Sequence, residues 1–156
     1  MFPLPRRAPS AWVTLALMAL LALLAGCGGE ALAPIDEDRA AKALQPAPGR
    51  ALIYVYRPSQ AGIDIHLALL VGGKQAGFLD DRTYFVLDTP PGKVTITIDE
   101  VNRNSIEETV QAGEIRYVRV SLGPWHLTFR GFPVAVPKDE AVTDLARCRL
   151  IRIVTL

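Results

Sequence analysis

From Gly49 onward the chain alternates apolar and polar residues with period two, broken at short intervals by glycine and proline. That pattern restricts the fold more than any other feature. Val94-Thr95-Ile96-Thr97-Ile98 is its clearest case, because successive strand side chains point to opposite faces. Ala51-Leu52-Ile53-Tyr54-Val55-Tyr56 is rich in β-branched and aromatic residues and ends at Arg57-Pro58, where proline removes a ladder donor. His66 to Val71 forms another run, closed by the hairpin signal Gly72-Gly73. Lys74 to Leu79 follows, with Gly77 read as a bulge, and Asp80-Asp81 turns into Thr83 to Leu87. Pro90-Pro91-Gly92 suits a type II turn. Ala112-Gly113 separates Ile106 to Val110 from Ile115 to Leu122. Gly123-Pro124 reads as a loop before a last long strand, Trp125 to Val136, bent at Pro133. Short strands at about 8–12-residue spacing indicate a sandwich or a barrel.

The C-terminal stretch departs from this period. Pro137 opens a helix to about residue 147, with Asp139 and Glu140 early and Arg147 late, as the helix dipole favours. Ala141, Leu145 and Cys148 fall on one stripe, and Leu150 to Val154 is a closing strand. The expected fold is mainly β: an antiparallel β-sandwich of about seven to nine strands with one short C-terminal helix at about 137–147.

The N-terminus is of another kind. Arg6 and Arg7 precede a 15-residue run from Ala11 to Ala25 dominated by Leu and Ala. A membrane-spanning helix needs roughly 20 apolar residues, so this run suits an export signal. It ends in Leu24-Ala25-Gly26-Cys27, which resembles the lipobox of bacterial lipoproteins. That resemblance implies cleavage after residue 26, lipidation at Cys27 and partnership with a membrane. Two or three acyl chains anchor durably, at about 0.8 kcal/mol per buried CH₂. Gly28 follows the cysteine where the same resemblance associates aspartate with inner-membrane retention. It therefore implies a bacterial envelope location, at the outer membrane facing the periplasm.

Residues 28–48 hold no aromatic residue, three prolines and the acidic knot Asp36-Glu37-Asp38. They read as a flexible tether with a root-mean-square span of roughly 25 Å. A two-turn helix starting at Asp36 is compatible with the residues, but helices that short are marginal alone. The remaining residues, 49–156, form one domain.

Composition enters here by subtraction. The whole chain is 50% hydrophobic with net charge +1. Removing the export signal leaves 15 basic and 16 acidic side chains, an ordinary near-neutral composition. A nucleic-acid partner is excluded for want of a positive field, and general disorder by the apolar content.

Ala51 to Pro58 (ALIYVYRP), Val71-Gly72-Gly73-Lys74 with Gly77, Thr83-Tyr84-Phe85, Pro90-Pro91-Gly92-Lys93 and Ala112-Gly113-Glu114 occur in order. Together they resemble a bacterial lipoprotein family of unknown function, over about Gly49 to Leu122. The stretch Leu69 to Ile98 is also similar to PEGA and carboxypeptidase-regulatory-like β-sandwich repeats. Two turns depart from that family: Gly72-Gly73 replaces Asp-Gly, and Arg82-Thr83 stands where a glycine precedes the tyrosine strand. The family has no activity to carry over.

Catalytic motifs are missing from the sequence: no phosphate loop, no G-x-S-x-G elbow, no C-x-x-C and no H-E-x-x-H. His66 and His126 are the two histidines, and Asp64 shares a strand face with His66, short of the three ligands a catalytic zinc needs. Neither a metal nor a cofactor is expected. Cys148 reads as a buried thiol. Tyr54, Tyr56, Arg57, Tyr84 and Trp125 are the contact candidates, since Tyr and Trp bring area at low entropy cost. The alternative for the aromatics is core filling with hydroxyls at the rim. The expectation is a non-enzymatic structural or interaction module whose partner is an envelope protein or peptidoglycan. The runner-up is a binder of a small ligand or glycan through Tyr with Arg57 or Arg119.

Overall fold

The computed structural model describes residues 30–59, 65–99, 104–125 and 128–156. Cys27, the N-terminal apolar run read as an export signal, Asp64 and His126 lie outside these residues. Nine strands form two sheets: β1 (Ala51–Arg57), β2 (Leu67–Val71), β3 (Lys74–Leu79), β4 (Thr83–Thr89), β5 (Gly92–Asp99), β6 (Asn104–Val110), β7 (Ile115–Trp125), β8 (Thr128–Ala135) and β9 (Arg149–Thr155). The helices are α1 (Ile35–Lys42) and α2 (Lys138–Leu145). One sheet runs β8-β7-β1-β4-β9 and the other β3-β2-β5-β6. The fold is mainly β, as expected, and consistent with a β-sandwich.

Strand parity sorts the core into two layers. Ile53, Val55, Phe85, Leu87, Val118 and Val120 point between the sheets, against Leu67, Leu69, Ile96 and Ile98. The alternate residues of the same strands, Leu52, Tyr54, Tyr56, Tyr84, Val86 and Tyr117, point the other way. Both helices cover that second face through Ala41, Ala141 and Leu145. β1 is central and covered on both sides, so all seven of its residues are buried.

The turns follow the glycines. Gly72 and Gly73 have φ of 56° and 81°, the pair of positive values a type I′ hairpin requires. The ladder between β2 and β3 shifts register beside Gly77, so the expected bulge is present. Arg82 also has positive φ, 53°, at the position where the family resemblance places glycine.

Three expectations change. The sandwich is not wholly antiparallel, because β1 pairs β7 and β4 pairs β9 in parallel. Parallel neighbours need long crossovers. Here the second sheet lies within the first crossover, and β5 to α2 within the second. Gly123-Pro124 belongs to β7 rather than to a loop, and β7 returns as β8. Among the described residues the pairing of β7 with β1 ends at Arg119, so Pro124 lies beyond it, where no donor to β1 is needed.

The third change concerns residues 28–48. Their described part is packed and partly helical, with α1 held against β9 and Ala33 and Ala41 buried. Helix dipole pairing supports α1, with Asp36, Glu37 and Asp38 in the first turn and Arg39 and Lys42 in the last. Eight residues remain too short to be helical alone, so tertiary contact stabilises it. The N-cap is Pro34, not Asp36, and makes no side-chain capping bond.

Candidate functional site

The five-stranded sheet presents a tyrosine layer to the helices. Tyr54 on β1 stands opposite Tyr117 on β7, with ring centroids 5.4 Å apart. Tyr84 on β4 is the diagonal neighbour of Tyr54 at 6.2 Å. Neighbouring strands at this register bring such side chains together on one face. Burial alone pushes the Tyr117 phenol up, and burial with neighbouring charge does the same for Tyr56 and Tyr84. Burial, with a smaller contribution from Tyr117, pushes Tyr54 up to about 12. All four are therefore neutral hydrogen-bond donors at ordinary pH.

Three of their hydroxyls end on the helices. Tyr54 donates to the Ala41 carbonyl at 2.6 Å. Tyr56 donates to Asp144 Oδ2 at 3.2 Å. The Tyr84 hydroxyl lies 3.0 Å from Asp38 Oδ1 and 3.2 Å from the Asp38 carbonyl. A buried hydroxyl costs free energy unless partnered, so the sheet and helix positions are mutually fixed.

Asp38 is the polar centre of the layer. Only 2% exposed, it accepts the Leu150 N–H at 2.8 Å and pairs with Lys42 Nζ at 3.0 Å. Burial alone would raise its pKa, but the bonds from Lys42, Leu150 and Tyr84 outweigh it and hold the carboxyl below its usual value. Lys42 also reaches the Cys148 carbonyl at 2.8 Å and lies 5.8 Å from the Tyr84 ring centre. Cys148 is buried, with Sγ 3.4 Å from the Asp144 carbonyl. Burial, then the Asp144 charge, pushes the thiol up to about 12, which makes it a poor nucleophile.

Of the contact candidates, Tyr54, Tyr56, Arg57 and Tyr84 are all buried and belong to the interior. Arg57 donates to the Ile65 carbonyl at 2.5 Å, bracing the start of β2. Trp125 ends β7, and its side chain lies outside the described residues. Tyr54, Tyr56 and Tyr84 fill a core with their hydroxyls bonded at its rim. His66 Nδ1 lies 2.5 Å from Asp80 Oδ1, and no cluster of three ligating side chains occurs among the described residues. One cleft of about 160 Å³ opens between the helices, lined by Lys42, Tyr54, Tyr117, Val142, Leu145 and Ala146. Asp38, Lys42 and Asp144 escaped the sequence reading. The available signal was the Asp38–Lys42 spacing of four within a short helical stretch.

A family model described as a protein of unknown function (DUF2846) matches residues 47–129. The chain belongs to the DUF2846 family. The matched residues take in β1 through β7 and the start of β8, whereas α1, α2 and β9 lie outside them. Within this DUF2846 chain, Tyr54, Tyr56, Tyr84 and Tyr117 thus come from the family segment, and their helical partners from the flanks. No curated protein and no solved structure matches the chain.

Proposed function

We propose that this DUF2846 protein is a lipid-anchored protein of the bacterial envelope, attached at the outer membrane and facing the periplasm. Its sandwich acts as a non-enzymatic structural or interaction module for another envelope protein or peptidoglycan. The observation that carries the reading is the sequence Leu24-Ala25-Gly26-Cys27 at the end of a 15-residue apolar run preceded by Arg6 and Arg7. Exposed apolar side chains on the edge strand β8, Phe132 and Val134 on one face, offer a surface for a protein partner.

The test is expression of the full chain in a bacterial host, followed by intact-mass measurement and membrane fractionation. Acylated mass at Cys27, and a Cys27→Ser chain found in the soluble fraction, are the expected results. Crosslinking in intact cells should then recover an envelope component, and recovery of none refutes the interaction role.

A second reading, binding of a small ligand or glycan, is favoured by the cleft over Tyr54 and Tyr117 with Lys42 at its rim. Its volume of about 160 Å³ is below the roughly 300–1,000 Å³ of drug-sized sites, so only a small molecule fits.

A further inference from the structure

The chain is fastened to the sandwich much closer to Cys27 than its composition suggests. Glu30 Oε1 accepts the backbone N–H of Phe78 on β3 at 3.1 Å, and Glu30 Oε2 pairs with Arg152 on β9. Three residues later the Ala33 N–H donates to the Leu150 carbonyl at 2.9 Å, and Arg149 donates to the Ala33 carbonyl. Residues 30–33 thus strap the edge of the molecule where β9 and β3 approach. Gly77 makes room for the strap, because a Cβ there would stand 2.7 Å from Glu30 Oε1.

Cys27 and Glu30 are separated by Gly28 and Gly29 alone. Three peptide units reach at most about 11 Å however they are arranged. A lipidated Cys27 lies at the boundary of the hydrocarbon, and the headgroup layer beyond it is about 5–8 Å deep. Glu30 is therefore held at the headgroup surface, and the edge fastened to it must lie there too.

That edge has the chemistry for the position. Leu32, Ile35, Phe78 and Ile153 are 40–49% exposed, and all belong to the strap or to the segments next to its bonds. The charges around them nearly balance: Arg149 and Arg152 against Glu30, with Asp36 and Glu37 exposed on the first turn of α1. Such a surface favours apolar contact with lipid over electrostatic attraction to it.

We propose that the β9/β3 edge, with Leu32, Ile35, Phe78 and Ile153, rests on the membrane surface and holds the domain in one orientation. The proposal rests on lipidation at Cys27. It replaces a domain swinging freely on a long leash with one seated on its edge. β6, three strands from β3, then points about 14 Å further away from the bilayer.

The experiment uses the full lipidated chain reconstituted in phosphatidylethanolamine–phosphatidylglycerol vesicles, with acylation confirmed by intact mass. A fluorescent thiol label is placed by Phe78→Cys or Ile153→Cys on the edge, and by Ser105→Cys on β6. All three positions are exposed, and the buried Cys148 thiol, pushed up to about 12, stays unlabelled. Brominated lipid should quench the two edge labels at least about twofold more than the β6 label, as for side chains at headgroup depth. The difference should survive high salt. Equal quenching at all three sites on an acylated chain overturns the seated edge while leaving the anchor intact. A chain without acyl mass overturns the anchor and the orientation together.

Discussion

Replacing Asp38 by alanine tests whether the segment before the family domain is structural. Asp38 is 2% exposed and receives the Leu150 N–H at 2.8 Å, the Tyr84 hydroxyl at 3.0 Å and Lys42 Nζ at 3.0 Å. Its removal orphans the Leu150 N–H inside the protein, at about 1–3 kcal/mol, while the Tyr84 hydroxyl falls back on the Asp38 carbonyl at 3.2 Å and loses less. Lys42 is partly solvated and recovers water, so its share is small. Together these losses come to about 2–4 kcal/mol. For a domain of this size that lowers Tm by roughly 10–20 °C. Circular dichroism melts of the unlipidated chain from residue 28 at pH 7 give the value. Asp36→Ala, two residues away in the same acidic knot but exposed, should change stability by less than about 0.5 kcal/mol.

The two variants also separate by pH. The folded-state pKa of Asp38 lies below its ordinary value. Its stabilisation is therefore fully present above the unfolded value of about 3.9 and is lost as pH falls through the folded value. Wild type and Asp36→Ala should lose this increment in acid, whereas Asp38→Ala has none to lose, so the curves converge at low pH. A cost below about 1 kcal/mol for Asp38→Ala, with unchanged acid dependence, would refute the buried network and restore the free tether.

Tyr54→Phe removes the 2.6 Å bond to the Ala41 carbonyl, which keeps the Leu44 N–H at 3.2 Å, so chemical denaturation should show a loss of about 1 kcal/mol. Gly77→Ala drives a Cβ to 2.7 Å from Glu30 and 2.9 Å from the Phe85 ring. It should cost about 1–3 kcal/mol, with hydrogen exchange rising at Phe78 and Ala33 as the strap loosens. Arg82→Gly should stabilise by roughly 1 kcal/mol in the same denaturation assay, since φ of 53° strains any side chain; a destabilised variant would mean that its pairing with Asp81 outweighs the strain.

The strands were legible because their signals are local. Val94 to Ile98 alternates, Gly72-Gly73 supplies two positive φ values, and Pro137 precedes a helix with acids in its first turn. Burial of Cys148 followed from the same stripe logic as Ala141 and Leu145. The tyrosines could be read as sharing a face but not as facing helices, since alternation marks sides of a strand without saying what covers them. The acidic knot was harder still. Asp36, Glu37 and Asp38 look alike in sequence, yet only Asp38 is buried, and its decisive partner Leu150 is 112 residues away.

Sequence alone therefore determined the elements that depend on neighbours along the chain: the run of short strands, the glycine hairpins and the C-terminal helix. Tertiary structure decided whatever needed two distant segments to meet. It made β1 and β4 central by giving each a parallel partner, and it turned a polar, proline-bearing leader into a helix and a strap. The physical reason is that a short helix and a buried carboxylate are unfavourable in isolation. They become stable only where Leu150, Tyr84, Phe78 and Arg152 supply the bonds.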